Sequence, residues 1–165
     1  MKKLKKRAKR GFTLIEILCA VVILLLLSLL MVAGVRVAVK SLNIEMQHSE
    51  SQILCSSLRT IVNDELRYAG SIDMSGTEIA FFSQNYGEKV TFTTDEEGHV
   101  LLGEDKVLST KSYPYGMRAE VTVSSYDTES RIFDASVKVT NEDGDLLAEA
   151  TFQVKQLNKP AEVTG

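Results

Sequence analysis

Glu16 has the most unusual surroundings in this sequence, because it is a lone carboxylate at the start of an apolar run. Residues 10–16 read RGFTLIE, and the 19 residues of Ile17–Val35 that follow carry no charge. A carboxylate costs on the order of 2–3 kcal/mol at full membrane depth and less near the interface. It is tolerated where it reaches the interface or pairs with a positive charge. Glu16 is therefore a candidate for charge pairing rather than for catalysis.

The apolar run predicts a membrane-spanning helix with its N-terminal side in the cytoplasm. Nineteen uncharged residues just span a hydrocarbon core of about 30 Å as a helix. Seven of the 19 Lys and Arg residues lie within the first ten positions, and no acidic residue precedes Glu16. Positive charge of this kind stays inside, so the C-terminal body should lie outside. We expect a single-pass protein of the cytoplasmic membrane.

Two general interpretations of this N-terminus each leave something unexplained. A cleavable secretory signal has a shorter apolar region of about 7–15 residues, and here the bulky Met31 stands where its cleavage site needs a small side chain. A plain single-span anchor accounts for the length and the charges. It gives Glu16 no role.

Residues 9–31, KRGFTLIEILCAVVILLLLSLLM, resemble the N-terminus of a type IV prepilin or pseudopilin. The resemblance implies that a membrane-embedded peptidase cuts between Gly11 and Phe12 and methylates the new amino group of Phe12. It also implies that Glu16 sets the register of an incoming subunit against its neighbour. Many members carry a proline further along this helix, where the present chain has Ala33 and Gly34.

The charges agree with this resemblance. Cleavage would leave a positive amine on Phe12 at membrane depth, and a buried amine is as costly as a buried carboxylate unless the two meet. Glu16 supplies the opposite charge, within one chain or between two. Glycine at position 11 has no side chain to hinder an extended backbone in a protease cleft.

The resemblance implies a structural subunit of a type IV pilus or a related filament, displayed at the cell surface or outside the cell. Its expected partners are the prepilin peptidase, other pilin-like subunits, and an assembly platform and motor. One alternative is a pseudopilin of a type II secretion or competence DNA-uptake system. No cysteine follows Cys55, whereas many major pilins have a C-terminal cysteine pair, and this favours a minor pilin or pseudopilin. An alternative from another class is a single-span surface-anchored binding protein.

An apolar stripe predicts that the helix continues past the membrane. Its members recur at helical spacing, and they are Leu54, Leu58, Ile61, Val62, Leu66 and Ala69. We predict one helix from Phe12 to about Ala69, ended by Gly70. Its weakest part should be residues 40–52, where fraying or bending is expected.

The rest of the chain predicts an antiparallel sheet, because β-branched and aromatic residues alternate with polar ones between turn signals. The predicted strands are Glu78–Ser83, Lys89–Thr94, His99–Leu102, Lys106–Thr110, Met117–Tyr126, Ile132–Thr140 and Leu146–Leu157. The predicted fold class is α+β and pilin-like, with the long helix packed on this sheet. The predicted divisions are a leader (1–11), a transmembrane or filament-core helix (12–35), an amphipathic helix (36–70), a sheet domain (71–157) and a polar tail (158–165).

Other chemistry has little support in the sequence. Twelve basic and 22 acidic side chains follow Gly11, a formal net charge of −10, so direct nucleic-acid binding is not expected. No glycine-rich phosphate loop or metalloprotease motif occurs, and we expect no enzyme activity, cofactor or metal. His48 and His99 are predicted to be solvated. Residues 94–99 are predicted to form a turn, and residues 141–145, NEDGD, a hairpin with a calcium loop as the alternative.

Overall fold

The computed structural model describes residues 13–76 and 78–158. Helix α1 spans Leu14–Arg67 and runs without a break through residues 40–52. The expectation that this stretch frays is therefore wrong. No proline occurs before Pro114, so no helical hydrogen bond is lost along this length. After α1 the chain continues into the sheets, and the Gly70 N–H donates to the Phe82 carbonyl at 2.8 Å.

The chain divides into two compact units, Met1–Ile44 and Glu45–Gly165. The described part of the first unit is the N-terminal portion of α1, whose apolar side chains are exposed. The second unit contains the remainder of α1 and nine β-strands among the described residues.

The strands of the second unit form three antiparallel sheets of three strands each. The first sheet contains β1 (Ile72–Asp73), β2 (Ala80–Phe82) and β3 (Lys89–Val90); the second contains β4 (Phe92–Thr94), β5 (Val100–Leu102) and β6 (Asp105–Lys106); the third contains β7 (Arg118–Asp127), β8 (Ile132–Thr140) and β9 (Leu146–Lys155). Two 3-10 turns, Thr110–Ser112 and Pro114–Gly116, precede β7. The predicted α+β class, a long helix packed with antiparallel sheet, is confirmed.

The expectation of a single sheet is wrong in one respect, because the predicted strand Lys89–Thr94 belongs to two sheets. Strand β3 pairs with β2 and β4 pairs with β5. The intervening Thr91 accepts a bond from the Gly103 N–H through its carbonyl, at 3.1 Å. The predicted strand Lys106–Thr110 is also shorter than expected, because the chain enters a 3-10 turn at Thr110.

The core of the second unit lies between the apolar stripe of α1 and the sheets. Leu58, Val62 and Leu66 are fully buried on the helix side. Strand β8 contributes the alternating set predicted to face one side, which is Ala135, Val137 and Val139. The Cys55 Sγ lies 3.9 Å from the Val137 carbonyl oxygen, which places β8 against α1. The predicted amphipathic faces are therefore the ones that meet.

One buried polar side chain joins the end of α1 to the end of β9. Gln156 is fully buried, and its Nε2 donates to the carbonyls of Ala69 and Gly70, each at 2.8 Å. Its Oε1 accepts a bond from the Tyr126 hydroxyl at 2.7 Å. All of its side-chain polar atoms are thus paired, as a buried amide requires.

Candidate functional site

Glu16 caps the N-terminus of α1 by a reciprocal pair of hydrogen bonds with Thr13. The Thr13 N–H and hydroxyl donate to Glu16 Oε2 at 2.8 and 2.9 Å, and the Glu16 N–H donates to Thr13 Oγ1 at 3.3 Å. This is a capping box, in which residues three positions apart satisfy the free N–H groups of the first turn. The Thr-x-x-Glu spacing in FTLIE is the sequence signal for this cap.

The capping box leaves one carboxylate oxygen of Glu16 available to a partner. Both bonds from Thr13 end on Oε2, and within residues 13–76 and 78–158 no donor bonds to Oε1. The side chain is exposed in the single chain. A second positive or N–H donor can therefore reach Glu16 without breaking the cap.

The helix that Glu16 begins has the length and composition to cross a membrane. Within the described residues, α1 is the one helix that meets both criteria, and none of its apolar span is buried against the rest of the chain. Leu24, Leu25 and Leu26 are each more than half exposed. Side chains of this kind need lipid or neighbouring helices around them.

Gly11 and Phe12, the predicted cleavage and methylation positions, lie outside the described residues. The described chain begins one residue later, at Thr13, directly before the capped start of α1. The two assignments remain predictions from the sequence.

A second cluster of ionisable side chains lies in the second unit, at the turn between β4 and β5. Asp95 Oδ2, Glu97 Oε2 and His99 Nδ1 lie within 4.8 Å of one another. The Lys106 ammonium, on β6, lies 3.1 Å from Asp95 Oδ2, 3.5 Å from Glu97 Oε2 and 3.0 Å from His99 Nδ1. Gly98 has φ +87°, a left-handed conformation that favours glycine, and lets the turn close.

This cluster corrects one expectation. His99 was predicted to be solvated, but it is only 6% exposed and its ring lies against Asp95, four positions before it. The ring of His99 meets that of Tyr113 edge-on, with centroids 4.7 Å apart. His48, by contrast, is exposed as predicted.

The arrangement of the cluster favours an internal ion pair over a metal centre. Three oxygen and nitrogen atoms of this kind can bind a divalent ion, at about 2.0–2.2 Å for zinc. Here the Lys106 ammonium lies at 3.0–3.5 Å from all three, at the point a cation would take. Lys106 is thus the positively charged partner of Asp95 and Glu97 in this cluster.

Residues 141–145 form the predicted hairpin between β8 and β9. The Asn141 N–H donates to the Asp145 carbonyl at 3.0 Å, and the Gly144 N–H donates to the Asn141 carbonyl at 3.1 Å. The Asp145 N–H in turn donates to Asn141 Oδ1 at 2.8 Å. The hairpin prediction is confirmed, and the turn is closed by its own hydrogen bonds.

Comparison with known protein families gives one match, at the N-terminus. The family described as the prokaryotic N-terminal methylation motif matches residues 6–32. This chain carries the signature of type IV prepilins and pseudopilins. The match includes Gly11, Phe12 and Glu16 and ends within the apolar run Ile17–Val35. Comparison with curated proteins and with solved structures found no match.

The matched motif has consequences for handling in the cell. It implies processing by prepilin peptidase and assembly with other pilin subunits. The motif and the apolar helix together suit membrane anchoring and a surface filament. The candidate functional site is therefore the N-terminal segment. Glu16 is its charged side chain among residues 13–35.

The Asp95 cluster predicts a pH-dependent stability for the second unit. Desolvation opposes ionisation of Asp95, but hydrogen bonds from the His99 backbone and ring and from Lys106 outweigh it and hold the pKa of Asp95 well below its ordinary value. A lowered carboxyl pKa contributes stability that is fully present above the unfolded value of about 3.9 and is lost as pH falls further. The hydrogen bond to Asp95 also raises the pKa of Lys106, so its contribution persists until the solution is strongly alkaline.

Asp95→Asn should therefore lower the melting temperature near pH 7 and have a smaller effect near pH 3. The measurement is thermal unfolding of the full chain in detergent across this range. Glu88→Gln, at an exposed carboxylate, is the matched control and should show no such convergence. If the difference in melting temperature between wild type and Asp95→Asn stays constant with pH, ionised Asp95 does not stabilise the second unit as described.

Proposed function

We propose that the chain is a structural subunit of a type IV pilus or a related filament. It is made as a precursor with a basic leader (1–11) held in the cytoplasm. Prepilin peptidase cuts it between Gly11 and Phe12 and methylates the Phe12 nitrogen. The remaining chain comprises a transmembrane or filament-core helix (12–35), an amphipathic helix (36–70), a sheet domain outside the membrane (71–157) and a polar tail (158–165).

The observation that carries this proposal is the combination of the matched motif with a capped, exposed apolar helix. Residues 6–32 match the methylation motif, and Glu16 lies on the first turn of α1 with one oxygen free. Lipid is already apolar, so leaving it for a helix bundle gives little hydrophobic gain, and packing with polar pairing must supply specificity. A carboxylate at the helix start, next to a newly made amine on Phe12, supplies such a pair.

The cysteine content of the second unit bears on the kind of subunit. No cysteine occurs after Cys55, so the C-terminal cysteine pair of many major pilins is missing. This favours a minor pilin, or a pseudopilin of a type II secretion or competence DNA-uptake system, over a major pilin. We assign the chain no catalytic role. Its proposed partners also include an assembly platform and an assembly motor.

The proposal is tested by locating the chain after cells are sheared. Wild-type chain should appear in the sheared filament fraction, whereas Gly11→Val should stay in the membrane with its leader attached, because a branched side chain hinders entry to the peptidase cleft. Gly34→Ala is the matched control for processing, since an added Cβ there meets nothing within 4 Å in the single chain, and its leader should be removed as in wild type. If wild type and Gly11→Val are both retained in the membrane with their leaders, the chain is a single-span anchored protein and the proposal is wrong.

A further inference from the structure

A second positively charged surface lies on α1, far along the chain from the leader. We call it the arginine face, and it consists of Ser56, Arg59, Thr60, Asn63, Asp64 and Arg67, which line a shallow depression of about 340 Å³. These positions recur at helical spacing on the side of α1 away from Leu58, Val62 and Leu66. Those three leucine and valine residues pack in the core, so the arginine face points away from it.

The two guanidinium groups of the arginine face have no ion-pair partner in the described part of the chain, and Asp64 is the one carboxylate on the face itself. No carboxylate among those residues lies within 4.0 Å of Arg59 or Arg67. Arg59 is held in place by Phe152, with its guanidinium carbon 5.3 Å from the ring centroid. The surface thus offers two guanidinium groups to a partner, which suits a peptide turn bearing carboxylates.

The second unit carries such a turn at a different place. The hairpin between β8 and β9 exposes Glu142, Asp143 and Asp145. Within the described residues no Lys, Arg or His lies within 4.0 Å of these carboxylates. The turn is closed by its own bonds, so little conformational entropy is lost when it binds.

The hairpin of one copy lies away from Arg67 of the same copy. Cys55 contacts Val137, three residues before β8 ends at the hairpin, whereas Gln156 at the other end of the sheet contacts Ala69 beside Arg67. The hairpin and Arg67 therefore lie at opposite ends of the packed part of α1. Twelve helical residues separate Cys55 from Arg67, roughly 18 Å at 1.5 Å per residue. A second copy displaced along the helix by this order of distance would bring its hairpin to the arginine face.

We propose that the arginine face binds the acidic β8–β9 hairpin of a second copy of this chain, an inference that rests on the proposed function. Two different surfaces that complement each other make a heterologous contact, and such a contact repeats into an open filament when its rotation does not close. A body of formal charge −10 after Gly11 repels its own copies, so a local pairing of opposite charge favours one orientation.

The test is a charge swap in the full chain, expressed in cells that have the peptidase and the assembly machinery. Arg67→Glu alone and Asp143→Lys alone should each reduce the chain in the sheared filament fraction at least tenfold, and the double variant should recover most of it. Arg67→Gln separates loss of attraction from repulsion and should lie between wild type and Arg67→Glu. Glu129→Lys, on the exposed β7–β8 turn, is the matched control and should assemble as wild type.

A crosslink identifies the occupant directly. Arg67→Cys combined with Asp143→Cys should give a disulfide-linked dimer on assembly, and neither single variant should. Filaments of wild-type yield from both single charge variants, or assembled filaments of the double-cysteine variant without a disulfide-linked dimer, would overturn the inference but not the proposed function. Loss of wild-type filaments together with an uncut leader would overturn both.

Discussion

Glu16→Gln should be cut and methylated normally, yet be at least tenfold depleted from filaments. Glutamine keeps the length and the acceptor oxygen that the capping box needs, so the start of α1 should stay intact. It removes the negative charge. The amine of Phe12 then meets no opposite charge when the helix enters a bundle of neighbours, and an unpaired buried charge is costly. Processing and filament content are measured in the same cells, by mass and by shearing.

The reciprocal variant separates capping from charge. Thr13→Val removes the hydroxyl that bonds Glu16 at 2.9 Å and keeps the carboxylate. The expected cost is about 0.5–2 kcal/mol at the helix start, with filaments retained. If Glu16→Gln assembles as well as wild type while Thr13→Val does not, Glu16 serves as a helix cap and has no role in register.

Leu58→Ala should have the largest effect on the stability of the second unit. Leu58 is fully buried where α1 packs on the sheets, and truncation of a buried leucine costs about 2–5 kcal/mol through lost burial and the cavity left behind. Ile53→Ala is the matched control, because Ile53 lies on the same helix and is 58% exposed. Its cost should fall below about 1 kcal/mol.

The comparison is made by pulse proteolysis of the full chain in detergent, which reports the unfolded fraction at each urea concentration. Equal midpoints for Leu58→Ala and Ile53→Ala would show that the stripe of α1 does not pack on the sheets as described. A smaller filament yield for Leu58→Ala at normal processing is expected as a secondary result of unfolding.

The long, periodic elements were predictable from the sequence, because their pattern and their packing have the same cause. Strand β8 has the predicted bounds, Ile132–Thr140, and β9 begins as predicted at Leu146. Each strand alternates over enough residues to define a buried face. The buried positions of α1 follow from the 3.6-residue period in the same way.

The shorter elements were not predictable, because two or three residues carry no period. Strand β1 was missed, and the division of residues 89–94 between two sheets depends on which distant strand each half meets. The burial of His99 depends on the Tyr113 ring and on Lys106, which fold over it from later in the chain. The Thr13–Glu16 cap, by contrast, is predictable from the Thr-x-x-Glu spacing alone.

The most direct test of the central claim is the intact mass of the chain recovered from membranes, with and without prepilin peptidase in the cell. The account predicts a species that begins at methylated Phe12 when the peptidase is present and a species that retains residues 1–11 when it is absent. A mass that retains the leader in both cells would contradict the account, and the function would then have to be sought in the second unit alone.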